Sequence, residues 1–268
     1  MFHQIGMIGT GNMGSAVALA INAGGFEGSF QLANRSREKA AALAERLRCA
    51  EVVDNVRVAC RCELIFLAVK PQMMADVLRE LAPALRERED RFVLVTMAAG
   101  LTCESIRQMA GADYPVIRMM PNTPSMIGCG VTQYCGLGAT EEELTEFAKL
   151  LAPSGLVDPI PEKLIDAAAA VSGCGPAFVY QFIEALTDGG VACGLPRAAA
   201  QRYAAQTVAG AAEMVLKTGR HPGELKDAVC SPGGTTIQGV RTLEESGFRA
   251  AAMNAVIAAY EKTEELKK

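Results

Sequence analysis

The chain has 268 residues, half of them hydrophobic, with 26 glycines, 12 prolines and 21% charged residues. That length suits one large domain or two modest ones with a self-sufficient core, and the composition excludes intrinsic disorder and collagen-like structure. A net charge of −4 leaves no basic footprint, so a nucleic-acid partner is not expected.

Met1-Phe2-His3-Gln4 carries no cationic segment, and Gly6, Gly9, Gly11 and Gly14 interrupt the apolar run that follows; no signal peptide is expected. Short apolar runs predict strands at His3–Ile8, Phe30–Asn34, Leu64–Val69, Phe92–Met97, Val116–Met119 and Val131–Tyr134, with a weaker one at Glu51–Val53. Helical patterns lie between them at Asn12–Ala23, Arg37–Leu47, Met73–Leu85 and Glu141–Leu151. This alternation predicts an α/β domain over residues 1–161, with a doubly wound, mostly parallel sheet.

From Glu162 the strand signal ends. Lys163–Val171, Ala177–Ala192, Pro196–Lys217 and Gly247–Leu266 read as helices, making residues 162–268 an all-α domain. Ala204, Val208, Ala211 and Val215 share one helix face, but Ala-rich helices alone make a thin core. A second copy is expected to cover them, giving a homodimer through the C-terminal helices, with assembly into larger rings left open. The apolar stretch Ala167–Ile183 is broken by Gly173, Gly175 and Pro176, so no membrane span is expected and the location is expected to be cytoplasmic.

Nine cysteines form no C-x-x-C pair, and Cys60-Arg61-Cys62 is too tight for the usual zinc spacing. With only His3 and His221 available, no metal is expected.

Gly9-Thr10-Gly11-Asn12-Met13-Gly14 is a G-x-G-x-x-G turn between the strand ending at Ile8 and a helix. Gly9 permits the tight turn, Gly11 admits a pyrophosphate to the backbone, and Gly14 allows close helix–strand packing. A dinucleotide site of the Rossmann type follows, using Ile8, Gly9, Thr10, Gly11, Asn12 and Met13. An NAD site needs an acid about 20 residues further on. Asn34-Arg35-Ser36 stands there instead, with donors that suit a 2′-phosphate, so NADPH is expected to be preferred over NADH. Asn34 or Ser36 as a helix N-cap is the plainer reading, and both can hold. Ala68-Val69-Lys70-Pro71 follows another strand and should border the same crevice, as should the turn Met120–Pro124.

In the helical half, Ser231-Pro232-Gly233-Gly234-Thr235-Thr236 leads into a helix with Ile237, Val240 and Leu243 as apolar positions. Hydroxyls, glycines and a helix N-terminus together suit a small carboxylate; a capped loop between helices is the alternative.

Along nearly its whole length the chain resembles the pyrroline-5-carboxylate reductases. The likeness is carried by IGMIGTGNMG at the start, FLAVKPQ at 66–72, the run VSGCGPAFVYQFIEALTDGGVACGL, and above all SPGGTTIQGVRTLE at 231–244. The resemblance implies reduction of the C=N bond of 1-pyrroline-5-carboxylate to proline by NAD(P)H. It also implies that Thr236 hydrogen-bonds the ring nitrogen while Ser231, Gly233, Gly234 and Thr235 hold the carboxylate. Glu162 matches a position beside the substrate and Asn55 a cofactor contact. Ala228 departs from the pattern, because some members place an asparagine there.

The residue inventory agrees with such chemistry. A protonated cyclic imine is already electrophilic, so the protein must position it and hydrogen-bond its nitrogen rather than supply a strong acid. Two rivals share parts of the pattern. A β-hydroxyacid dehydrogenase should carry a lysine at the helix start 173–176, where none stands. A non-catalytic NADP sensor would leave the 231–236 loop without a purpose.

Overall fold

The computed structural model describes residues 2–265. By internal contacts the chain forms two compact units, Met1–Cys174 with Ala259–Lys268, and Gly175–Ala258.

The first unit is built on eight strands: β1 (Gln4–Ile8), β2 (Ser29–Ala33), β3 (Ala50–Val52), β4 (Leu64–Leu67), β5 (Val93–Thr96), β6 (Val116–Met120), β7 (Gly130–Leu137) and β8 (Gly155–Pro159). They form one sheet in the order β3-β2-β1-β4-β5-β6-β7-β8. All neighbours are parallel except β6 and β7, where Arg118 opposes Cys135. The order reverses between β1 and β4, which join as parallel neighbours with Met7 opposite Phe66. In doubly wound sheets the ligand crevice opens at such a reversal, outside the carboxyl ends of the strands.

Both faces of the sheet are covered, which is why its strands read as continuous apolar runs. Ile5, Met7, Leu64 and Phe66 pack against α1 (Asn12–Ala23), α2 (Arg37–Ala44) and α6 (Glu141–Leu151). Ile8, Ile65 and Leu67 point the other way, onto α3 (Asn55–Arg61), α4 (Met74–Arg86) and α5 (Cys103–Ala110).

α7 (Glu162–Ser172) packs on β6 and β7. There the buried Arg118 of β6 makes an ion pair with Asp166 and lies 3.6 Å from Glu162. The compact unit therefore runs on to Cys174, beyond the change in composition at residue 161, because a buried charge pair ties the first helix after that change to the sheet.

The second unit holds α8 (Gly175–Ala192), α9 (Arg197–Thr218), α10 (Pro222–Ala228), α11 (Thr235–Glu245) and most of α12 (Phe248–Glu265). Its sequence places small residues on the helix faces, and its packing shows the result. Only Thr187, Ala200 and Ala204 are buried in this unit, while Tyr180, Tyr203, Leu216 and Met253 are more than half exposed.

The expected elements are present, with four additions: α3, α5, β8 and α10. The strand expected to include Asn34 stops at Ala33, β7 is longer than Val131–Tyr134, and the end of the last helix at Leu266 lies outside the described residues.

Candidate cofactor cleft and substrate loop

A cleft of about 830 Å³ opens at the tips of β1, β2 and β4. The three glycines of the turn take three different parts there. Gly9 has φ +102°, and a Cβ on it would lie 2.4 Å from the Ala68 carbonyl oxygen. On Gly14 a Cβ would come within 2.2 Å of the Gly9 oxygen, so only glycine lets α1 approach the turn. At Gly11 nothing lies within 4 Å. It is also the N-cap of α1 and offers no side chain to the helix, so the first-turn N–H groups face the cleft without a capping partner. An open approach and uncapped donors fit a dinucleotide pyrophosphate.

Of the residues singled out from sequence, Ile8, Gly9, Gly11, Asn34, Arg35, Ser36, Asn55, Ala68, Val69 and Lys70 line this cleft. Thr10, Asn12, Met13 and Pro71 belong to the same turns but not to its lining. Pro71 opens a short 3₁₀ turn and leaves Lys70 extended, at φ −66° and ψ 148°.

Asn34 proves to be a staple. Its Oδ1 accepts the Thr10 N–H at 3.1 Å, and its Nδ2 donates to the Ser36 carbonyl at 2.9 Å. Ser36 is the N-cap residue of α2, yet its hydroxyl makes no capping bond. Arg35 is exposed and makes no ion pair among the described residues. The plainer reading therefore applies to Ser36 by position alone, and its hydroxyl and the Arg35 guanidinium are left to the cleft.

The cleft also contains Lys39, Asp54 and Glu80, which sequence reasoning missed. Lys39 lies in the first turn of α2, four residues after Arg35, and its place at a helix start beside the strand tip was the available signal. Asp76 also lines the cleft and accepts from Arg79 Nη1 at 2.8 Å, and the other two carboxylates each hold a protein partner. Asp54 caps α3 by accepting the Arg57 N–H at 2.7 Å, and Glu80 accepts from Asn55 Nδ2 at 2.9 Å. Asn55 is thereby oriented with its carbonyl oxygen as the remaining acceptor.

The residues of the turn Met120–Pro124 are not among those that line this cleft. Buried Asn122 accepts the Val131 N–H at 2.9 Å and donates to the Ser172 carbonyl at 2.9 Å.

In the second unit, Ser231 to Gly234 form a tight exposed turn closed by the Gly234 N–H on the Ser231 carbonyl at 3.0 Å. Gly233 has φ +66°, and a Cβ on Gly234 would lie 2.3 Å from Ser231 Oγ. Gly234 caps α11 without a side chain, so the amides of its first turn have no capping partner, and Thr235 and Thr236 are the first helical residues. His221 is the N-cap of α10, where Nδ1 accepts the Gly223 N–H at 3.1 Å. Histidine acid–base chemistry has no candidate here.

Glu162 sits elsewhere, at the start of α7 in the first unit. Its Oε1 accepts the Cys103 N–H at 2.7 Å. Cys103 Sγ lies 3.9 Å from Cys135 Sγ, and that sulfur contact, together with burial, pushes the Cys103 thiol up. Sequence spacing did not reveal this group, because it assembles only through the pairing of β6 with β7 and the packing of α5 and α7.

A doubly wound half with a G-x-G-x-x-G turn at its crevice, followed by a helical half with an uncapped glycine-rich helix start, defines a dinucleotide-dependent oxidoreductase. Comparison with known proteins narrows this. Residues 4–100 match the family model described as NADP oxidoreductase coenzyme F420-dependent, and residues 162–266 match pyrroline-5-carboxylate reductase dimerisation. The chain is 41% identical to the pyrroline-5-carboxylate reductase of Escherichia coli over 100% of both chains. It is 43% identical to pyrroline-5-carboxylate reductase 3 of Danio rerio, over 98% of this chain and 91% of the relative. The crystal structure of Plasmodium falciparum pyrroline carboxylate reductase with NADP bound superimposes with a TM-score of 0.88 at 33% identity, covering 99% of this chain and 98% of that one. The chain belongs to the pyrroline-5-carboxylate reductase family. Among the described residues no helix is long and apolar enough to cross a membrane.

Proposed function

We propose that the protein reduces the C=N bond of 1-pyrroline-5-carboxylate to L-proline, with NADPH preferred over NADH. The carrying observation is the full-length relationship to reductases of that name, held together with an uncapped SPGGTT turn at the start of α11.

Residues 1–161 hold the cofactor and residues 162–268 carry the substrate loop. The pyrophosphate lies against Gly9–Met13 and the α1 N-terminus, and Ala68–Pro71 border it. Arg35 and Ser36 take the 2′-phosphate, and Asn55 contributes a carbonyl acceptor. When bound, NADPH supplies a hydride.

In the loop, Ser231 and Thr235 offer hydroxyls, while Gly233 and Gly234 let the backbone approach the substrate carboxylate. By the resemblance, Thr236 accepts a hydrogen bond from the iminium N–H and, after its rotor turns, donates to the product amine. The imine carbon gains the hydride and the C=N π pair becomes the nitrogen lone pair, so the residue need only follow the nitrogen's change from donor to acceptor. The substrate contact assigned to Glu162 rests on resemblance alone. Where some relatives carry an asparagine, Ala228 ends α10 and offers no polar group.

The exposed apolar helices of the second unit support a homodimer through that unit, able to assemble into larger rings. A cytoplasmic location fits nine free cysteines.

Mixing the purified protein with NADPH and 1-pyrroline-5-carboxylate tests the reading. Loss of NADPH absorbance with formation of proline is expected; no turnover with either cofactor overturns it.

A further inference from the structure

We propose that Cys103, Cys135 and Glu162 form a binding site for a divalent cation, Zn²⁺, within the first unit. The site needs no substrate or cofactor to form, although one of its ligands, Glu162, is also the residue that resemblance places beside the substrate.

Three elements converge to make it. Cys103 is the first residue of α5, Cys135 lies in β7 opposite Arg118, and Glu162 is the first residue of α7. One ligand atom from each lies within 4.8 Å of the other two. The sulfurs are 3.9 Å apart. A tetrahedral zinc ion with Zn–S bonds of about 2.3 Å separates two sulfur ligands by about 3.8 Å, so the thiols already stand at the required spacing.

The surroundings match what a metal site needs beyond its ligands. Glu162 Oε1 is fixed by the Cys103 N–H at 2.7 Å and by Arg118 at 3.6 Å. A hydrogen-bonded partner such as the Cys103 N–H orients a ligating carboxylate. Its other oxygen is then shared between two uses, the cation proposed here and the substrate contact that resemblance assigns to it. Two thiolates and a carboxylate select zinc over magnesium or calcium, which prefer oxygen ligands only. Around a dication those three anions leave one negative charge, 3.6 Å from the Arg118 guanidinium that Asp166 also pairs with. Binding releases the two thiol protons to solvent, and a water completes the fourth position.

The test uses the reduced, full-length protein after treatment with a chelator, with Co²⁺ as the probe. One Co²⁺ per chain should produce sulfur-to-cobalt charge-transfer absorption, and Zn²⁺ should abolish it. Cys103→Ser and Cys135→Ser should each weaken binding by more than the roughly 10–100-fold that follows loss of an outer partner. Cys60→Ser, a change at an exposed thiol, should leave it unaltered. A readout without variants guards against misfolding: Zn²⁺ should raise the Tm of the unaltered protein and a chelator should reverse the rise. Absence of the charge-transfer band, its persistence in both serine variants, or a Tm indifferent to Zn²⁺ would each overturn the proposal.

Discussion

The Asn34 side chain accepts the Thr10 N–H at 3.1 Å, so the tip of β2 and the glycine turn after β1 form one rigid ledge. Neighbouring Arg35 extends from that ledge without an ion-pair partner among the described residues. The two residues should therefore fail differently. Arg35→Ala should raise the apparent KM for NADPH by roughly 10–150-fold, the range of a charge-assisted contact of about 1.5–3 kcal/mol, and leave NADH nearly untouched. Asn34→Ala should impair both cofactors alike, because it loosens the turn that both use. Steady-state kinetics with each cofactor separates the two, and equal losses in Arg35→Ala would remove the 2′-phosphate assignment.

Thr236→Ala should lower kcat by roughly 10–1000-fold, because the hydroxyl that positions the imine nitrogen, and that donates to the lone pair forming there as hydride arrives, is lost. NADPH affinity should stay near its original value. Thr236→Ser should retain most activity. Gly234 already occupies the N-cap of α11, so a loss on removing the hydroxyl cannot be assigned to helix capping. An unchanged kcat in Thr236→Ala would end the catalytic role.

The second unit buries only Thr187, Ala200 and Ala204 while exposing Tyr180, Tyr203, Leu216 and Met253. Sedimentation at decreasing concentration should show a dimer that loses its fold when it dissociates, since one copy covers too little of its own apolar surface. A folded, active monomer at high dilution would contradict this.

Arg118 is 1% exposed and its ion pair with Asp166 lies on the covered face of the sheet. Arg118→Met should cost roughly 3–5 kcal/mol in urea unfolding, the range for breaking a buried pair from one side. Adding Asp166→Leu should recover part of that loss. A single-variant loss below about 1 kcal/mol would show the pair to be dispensable.

Glu143 completes the capping box of α6 with Thr140 and is gripped by Arg91 through two bonds of 2.8 and 2.9 Å. The Arg91 guanidinium holds its carboxyl below the usual range, against partial burial. Because the folded value lies below the unfolded one, the pairing stabilises at neutral pH and fades as pH falls through the folded value. Glu143→Gln keeps the cap but loses the charge, so it should cost about 1 kcal/mol at neutral pH, Arg91 being half exposed. The gap to the unaltered protein should close on acidification below the carboxylate range. A gap independent of pH would refute the charge contribution.

Local chemistry made part of this legible in the sequence. Gly9, Gly11 and Gly14 fall at the fixed spacing of a strand–turn–helix motif, so spacing alone assigned them, although the contact that excludes a Cβ at Gly9 comes from Ala68, just after β4. The long helices α1, α8 and α9 carried enough periodicity to be seen. By contrast, α3 and α5 span only 7 and 8 residues, too short for a period to register, and their caps Asp54 and Thr102 were the remaining signals. β8 ends in Pro159 on the sheet's edge, where proline argues against a strand assignment. The pairing of Arg118 with Asp166, and of Cys103 with Cys135, depends on which strand runs antiparallel to which. No window of sequence contains that information.

The reversal of β7 and β8 sets where the chain leaves the sheet. Having turned back twice, the polypeptide reaches α7 at the amino end of β6 and climbs beside it, so that the Ser172 carbonyl meets Asn122 just beyond the β6 tip. Any segment joined after Ser172 thus starts on the rim where the parallel strands finish. A fold with this exit can exchange whatever follows it and still begin the new piece at the same rim of the sheet. That makes the Gly173–Gly175 junction the natural seam for building chimaeric reductases with altered imine specificity.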